Sequence, residues 1–174
     1  MTDESKTNKS GTGVAKGESA EVLHPDRMLL DHAVAAAPFT VRLTLPEGAA
    51  VGSGDVIPLA DFLARGKPAG VGVLLRGSDD PALIRDVLST VPVVALHFPI
   101  FSDGRGYSHA WRLRKAWRYG GVILACGDVL RDQLLYMSRV GINAFYMRAD
   151  QKLEESLAAF SLYSAFYQYH DVAR

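Results

Sequence analysis

Val71-Gly-Val-Leu-Leu75, Val93-Val-Ala-Leu-His-Phe98 and Val122-Ile-Leu-Ala-Cys126 decide the fold. Each is a strand-length run in which both alternating sets of residues are mainly apolar, which predicts a strand covered on both faces, as in a parallel sheet. Amphipathic segments between them supply the cover. After the first run, Asp80 is placed to cap, and Pro81 to open, a helix carrying Leu83, Ile84, Val87 and Leu88. After the second, a polar loop leads into a basic helix over about 109–119. After the third, Gly127-Asp128 precedes a helix bearing Leu130, Leu134, Met137 and Val140, with Asp128 as its cap and Gly141 as its stop. Further out lie a short helix over 58–64 ending at Gly66, a fourth strand over 143–147 and a last helix over 153–169. The alternation predicts an α/β domain over 56–174: a parallel sheet with alternating βα units, either an open Rossmann-like sheet or a partial βα barrel.

Before residue 56 the pattern is weaker. Phe39 to Leu45 alternates as an exposed strand or hairpin arm would, Pro46-Glu-Gly48 marks a turn, and 21–55 as a whole reads as an extension of no assigned fold. Residues 1–20 carry almost nothing to bury and are expected to be a disordered tail. The glycines of 11–17 fit neither phosphate-loop spacing and follow no strand. With 174 residues, 48% of them hydrophobic, the chain has room for one core. Nineteen basic residues balance nineteen acidic ones, which excludes the net field that holds proteins on nucleic acid or anionic membrane, so any charged-ligand site must be local. The single Cys126 excludes an intramolecular disulfide and a cysteine-built metal site, and no histidine pair has ligand spacing. No apolar signal core and no run of about 18 apolar residues is present, so a cytoplasmic protein off the membrane is expected.

In parallel α/β folds, ligands bind where strands run out into helices. The second strand exits into 97–108 and the third into 127–133. Gly104 and Gly106 bracket Arg105. Together with Ser102, Tyr107 and Ser108, this segment can form a small oxyanion pocket at a helix start, with Arg131 on the same rim. The alternative reading is a turn stapled by an Asp103–Arg105 or Arg105–Asp128 pair, with Ser108 as an ordinary cap. His97, Asp103 and Asp128 are the candidate acids and bases, although His97 also reads as a hydrogen-bonded core residue and Asp128 as a helix cap. Cys126 reads as a buried small hydrophobe near an electropositive rim. The helix Trp111-Arg-Leu-Arg-Lys-Ala-Trp-Arg118 reads as amphipathic or as a docking surface for an acidic partner, and Phe160, Tyr163, Phe166, Tyr167 and Tyr169 as a core-closing stripe or an interface.

Phe98-Pro-Ile-Phe-Ser-Asp-Gly-Arg-Gly-Tyr-Ser108, Gly127-Asp-Val-Leu-Arg-Asp-Gln-Leu134, Gly141-Ile-Asn-Ala-Phe145 and Phe160-Ser-Leu-Tyr-Ser-Ala-Phe-Tyr-Gln168 resemble successive blocks of the DUF934 proteins, over roughly 56–169. Those are small bacterial proteins of undetermined activity, commonly encoded beside assimilatory sulfite reductase and labelled as oxidoreductases of sulfite reduction. The chain departs from the family pattern at Ile100, usually lysine, which removes one cation from the rim, and at Cys126, usually valine. The resemblance implies an accessory or partner protein of sulfite reduction and sulfur metabolism. Its partner would be sulfite reductase or another sulfur-assimilation enzyme, and its ligand a small anion; no cofactor is assigned. The alternative is a small oxidoreductase or other enzyme that uses the same loop face.

Overall fold

The computed structural model describes residues 21–100 and 102–161. Among the described residues, nine strands form one mixed sheet. They are β1 (Val22–Leu23), β2 (Arg27–Leu30), β3 (Ala33–Ala36), β4 (Thr40–Arg42), β5 (Asp55–Pro58), β6 (Gly72–Leu75), β7 (Val93–Phe98), β8 (Val122–Gly127) and β9 (Ala144–Phe145). Their order is β1-β4-β5-β6-β7-β8-β9-β2-β3. From β4 to β9 all neighbours are parallel and follow chain order without reversal. The winding therefore has no switch point of the kind that makes a crevice in a doubly wound sheet.

The sheet is curled. Alternate residues of the strands fall into two separate cores, as the two-residue period of a strand requires. Ile57, Val73, Val94, Leu96, Ile123 and Phe145 pack outward against Phe62, Ile84, Leu113 and Leu134 of the helical segments. Val41, Val56, Leu74, Val93, Ala95, Leu124, Cys126, Ala144, Tyr146 and Met28 pack on one another, so the inner face of the sheet is its own cover. Tyr146, just after β9, donates its hydroxyl to the Phe39 carbonyl at 2.6 Å and accepts from the Phe39 N–H at 3.2 Å. Phe39 precedes β4, five places away in the sheet, and only curvature brings the two together.

Among the described residues, four α-helices stand on the outer side or at its ends: α1 (Leu59–Ala64), α2 (Arg105–Trp111), α3 (Leu134–Arg139) and α4 (Leu153–Ser156). Several expected helices take other forms. The 81–87 segment is a 3-10 turn, capped as expected by Asp80, whose carboxylate accepts from the Ala82 N–H at 3.0 Å. Ile84 is buried there, but Leu83 is left 49% exposed because a three-residue turn cannot keep both on one face. The basic helix begins earlier than expected, at Arg105, and passes into a π turn over Arg112–Ala116. The last helix covers Leu153–Ser156 and tightens to 3-10 over Leu157–Ser161. Residues 162–169 of that expected helix, including Tyr163, Phe166, Tyr167 and Tyr169, lie outside the described residues, as does the 1–20 tail. Phe160 packs against Phe145 and stacks on His32 at 4.3 Å.

Residues 21–55 join the same sheet, supplying β1 to β4 and the first residue of β5. Thr40–Arg42 is no exposed hairpin arm: it lies between β1 and β5, with Val41 fully buried. The hairpin is β2–β3, turned through Asp31 and His32, both at positive φ (46° and 64°) as a type I′ turn demands. Asn143 braces that turn. Its carbonyl accepts from the Asp31 N–H at 2.9 Å and its amide donates to the Asp31 carboxylate at 3.1 Å. Arg114 completes the assembly from the π turn, donating to the carbonyls of Tyr119, Gly121 (3.1 Å) and Gly141 (3.1 Å) and to Asn143 Oδ1 (3.2 Å). No helix among the described residues is long and apolar enough to cross a membrane.

Candidate strand-exit site

The inner rows of four adjacent strands turn polar at their carboxyl ends. Two residues beyond Leu74, Ala95, Cys126 and Tyr146 of the inner core stand Arg76, His97, Asp128 and Arg148. The apolar plug thus ends in a charged collar on the face where βα sheets place their ligands. Adjacent exits meet: the Asp128 N–H donates to the Phe98 carbonyl at 2.8 Å, and Arg148 Nη1 contacts Asp128 Oδ1 at 2.8 Å. Arg148 also holds Asp150 at 2.7 Å, and its guanidinium pKa is driven upward by Asp150 first and Asp128 second.

Asp128 is therefore not the helix cap that the sequence predicts. The next helical turn starts at Arg131, with Leu130 at the capping position, and Gln133 Oε1 accepts from the Leu130 N–H at 2.9 Å. The two intervening residues, Val129 and Leu130, keep Asp128 at the strand end, within reach of Arg148. Ser108 is likewise not a cap. It lies in the interior of α2, whose capping position is Gly104, and it faces out beside Tyr107, Trp111, Arg112, Tyr136 and Val140.

Arg105 forms the fork predicted by the stapled-turn reading. Its Nε and Nη2 donate to Asp103 at 2.9 and 2.8 Å, and its N–H to the same carboxylate at 3.2 Å. These bonds, the side-chain ones foremost, lower the Asp103 pKa to about 2. Arg105 remains 62% exposed, with one face on Gly77: a Cβ there would sit 2.6 Å from its Nε. Gly77 thus leaves the guanidinium room beside Arg76.

Arg76 has no counterpart in the sequence-derived site. Its Nη2 donates to the Leu43 carbonyl at 2.6 Å, crossing the mouth from β6 to β4. Among the described residues no carboxylate pairs with its guanidinium. His97 is half-buried, and its pKa is lowered first by burial and next by the charge of Arg76, which outweigh the opposing pull of Glu21 and Asp103. A half-buried imidazole and a guanidinium with no carboxylate partner among the described residues therefore stand together at the mouth. The signal for Arg76 was available: a cation two residues beyond an inward Leu at a strand exit.

The remaining candidates divide by role. Gly106 is buried, and its missing Cβ would strike the Phe98 ring at 2.6 Å, so it is a packing residue. Tyr107 is half-buried between Phe98 and Tyr136, at centroid distances of 5.5 and 5.2 Å, and burial raises its pKa. Ser102 and Gly104 are exposed in the loop. Arg131 lines a separate hollow of about 410 Å³ with Leu130, Asp132, Arg148 and Gln151, which holds no residue of 97–108. Arg148 is the residue common to the collar and that hollow. Cys126 is fully buried in the inner core, and burial pushes its thiol up to about 12. Among the described residues, no three His, Cys, Asp or Glu side chains are grouped to hold a metal ion.

Strand order, curvature and collar together define a small α/β protein with a mostly parallel curled sheet and a polar mouth at its strand exits. The chain belongs to the DUF934 family, described as bacterial protein of unknown function, whose profile matches residues 72–174. That match starts at β6 and so contains Arg76, His97, Asp103, Arg105, Asp128 and Arg148. No curated protein and no solved structure matches the chain.

Proposed function

We propose that this chain is an accessory protein of assimilatory sulfite reduction whose mouth takes a small oxyanion between Arg76, His97 and Arg105. The observation that carries the reading is Arg76, a guanidinium held at the strand exits by a carbonyl and free of any carboxylate among the described residues. An oxyanion there accepts from Arg76 and from the exposed edge of Arg105, while His97 adds a further hydrogen bond. The pathway rests on the family resemblance, with sulfite reductase or another sulfur-assimilation enzyme as partner.

Titration calorimetry of the purified protein with sulfite, sulfate and phosphate tests the site. Removing a charge-assisted contact by Arg76→Ala weakens binding about tenfold or more. Asp103→Asn frees Arg105 from its competing carboxylate and tightens binding. Heat-free titrations with all three anions, or an Arg76→Ala variant that binds as the parent does, refute the pocket. Co-purification of sulfite reductase with the tagged chain from sulfate-grown cells tests the partnership, and its repeated absence removes that part of the reading.

A further inference from the structure

A second opening lies at the other end of the sheet, below the starts of β7 and β8. It has a volume of about 710 Å³ and is walled by the end of the 81–87 turn, Val91-Pro92 and the segment Ala116 to Gly121. Cavities of this size suit small organic ligands.

Two local departures from regular backbone build one of its walls. In the π turn, the Trp117 N–H donates to the Arg112 carbonyl at 3.0 Å. The Tyr119 N–H then returns to the Leu113 carbonyl at 3.0 Å, leaving Arg118 in the left-handed region at φ 55°. Helices usually give that closing position to glycine. Both π turns and left-handed side-chain-bearing residues are costly and gather at functional sites. Here the pair delivers Trp117 and Arg118 to the same cavity.

The chemistry of the walls is cationic and aromatic. The Arg85 guanidinium lies 5.6 Å from the Trp117 ring centroid. Neither Arg85 nor Arg118 has a carboxylate partner among the described residues. The acid in the wall, Asp86, is occupied by Lys67 at 2.7 and 2.9 Å. Carbonyls that would repel an anion are taken as well: Val87 by the Thr90 N–H and hydroxyl, Leu88 by the Val91 N–H, and Tyr119 by Arg114. Gly120 borders open space on the cavity wall, since a Cβ there would touch nothing within 4 Å. We infer that this cavity binds a planar ring carrying a phosphate or carboxylate, the ring against Trp117 and Arg85 and the anion on Arg118. The site is independent of the strand-exit mouth.

Trp117 provides the test. The chain has two tryptophans, so Trp111→Phe leaves the cavity indole as the sole reporter. Fluorescence of that full-length variant is titrated with adenosine monophosphate, benzoate, adenosine and inorganic phosphate. Saturable quenching by the nucleotide or by benzoate is expected, and the responding probe identifies the anion. Adenosine and phosphate alone bind at least tenfold more weakly. Arg118→Gly removes the cation and relieves the backbone, so it weakens binding tenfold or more with no loss of melting temperature. Arg85→Gln gives a second, independent loss. Arg27→Ala, on the surface of β2 and outside both openings, leaves quenching unchanged. The inference is overturned by no saturable response at millimolar probe, by adenosine or phosphate binding as tightly as the nucleotide, or by an Arg118→Gly variant that binds like its parent.

Discussion

Arg114→Met separates the charge of one side chain from its bulk and tests what holds the closed end of the sheet. The native guanidinium donates to three backbone carbonyls and to Asn143 Oδ1, and its stem lies on Gly141, where a Cβ would come within 2.5 Å of it. Burial lowers its pKa against the opposing pull of Tyr119 and Asp31, and a guanidinium is charged in proteins. A hydrogen bond from a charged donor contributes about 1.5–3 kcal/mol, and a sheltered carbonyl left bare costs about 1–3 kcal/mol. Four contacts on one half-exposed side chain overlap and are partly replaced by water, so methionine should cost roughly 3 kcal/mol in total. For a domain of this size that lowers the melting temperature by roughly 6–12 °C. Urea unfolding followed by circular dichroism measures it, with an unchanged slope showing that both end states are unaltered. Because Asn143 also accepts from the Ile123 N–H at 3.0 Å, Arg114→Met and Asn143→Ala should couple by more than about 0.5 kcal/mol. A loss below about 0.5 kcal/mol, the range of an ordinary surface residue, or strict additivity with Asn143→Ala, refutes the brace.

Gly106→Ala should destabilise by about 1–3 kcal/mol, because the added methyl enters the buried Phe98 ring; a higher urea midpoint would mean that helix propensity wins and the contact is loose. The lowered His97 pKa sets a pH dependence of stability. The unfolded chain takes up a proton near pH 6.5 that the folded one resists, so the His97 contribution is complete above that pH and declines as pH falls toward the folded value. His97→Gln should flatten that part of the profile. A bound oxyanion favours protonation of His97, so oxyanion affinity should rise as pH falls, and calorimetry in two buffers should detect proton uptake. Cys126, fully buried and with its pKa at about 12, should resist Ellman's reagent in the native protein and react only as urea unfolds it.

Elements whose signals are local are readable from the sequence. Val93 to Phe98 and Val122 to Cys126 are strands because both faces are apolar, and the Asp80-Pro81 pair opens its turn as its chemistry requires. The β2–β3 hairpin was missed because Asp31-His32 lacks the glycine that usually marks a type I′ turn, and its positive φ values are held by Asn143, far along the chain. The exits of β7 and β8 meet, as a parallel sheet implies, yet Asp128 becomes an ion-pair residue because the chain runs on to Leu130 before turning. Arg76 went unremarked because a lone arginine in Leu-Arg-Gly-Ser reads as a turn residue until the curl of the sheet brings the Leu43 carbonyl across to it.

Sequence alone determined the strands at Gly72–Leu75, Val93–Phe98 and Val122–Gly127, the turn opened by Asp80-Pro81, and the family, since each depends on residues close together in the chain; it left the Asp103–Arg105 pair as one alternative among others. Tertiary structure alone decided that the sheet curls until its inner face covers itself. That arrangement depends on contacts between residues as distant as Phe39 and Tyr146, which no local period encodes. The curl turns four scattered polar residues into one collar, and so determines which cations are left for a ligand.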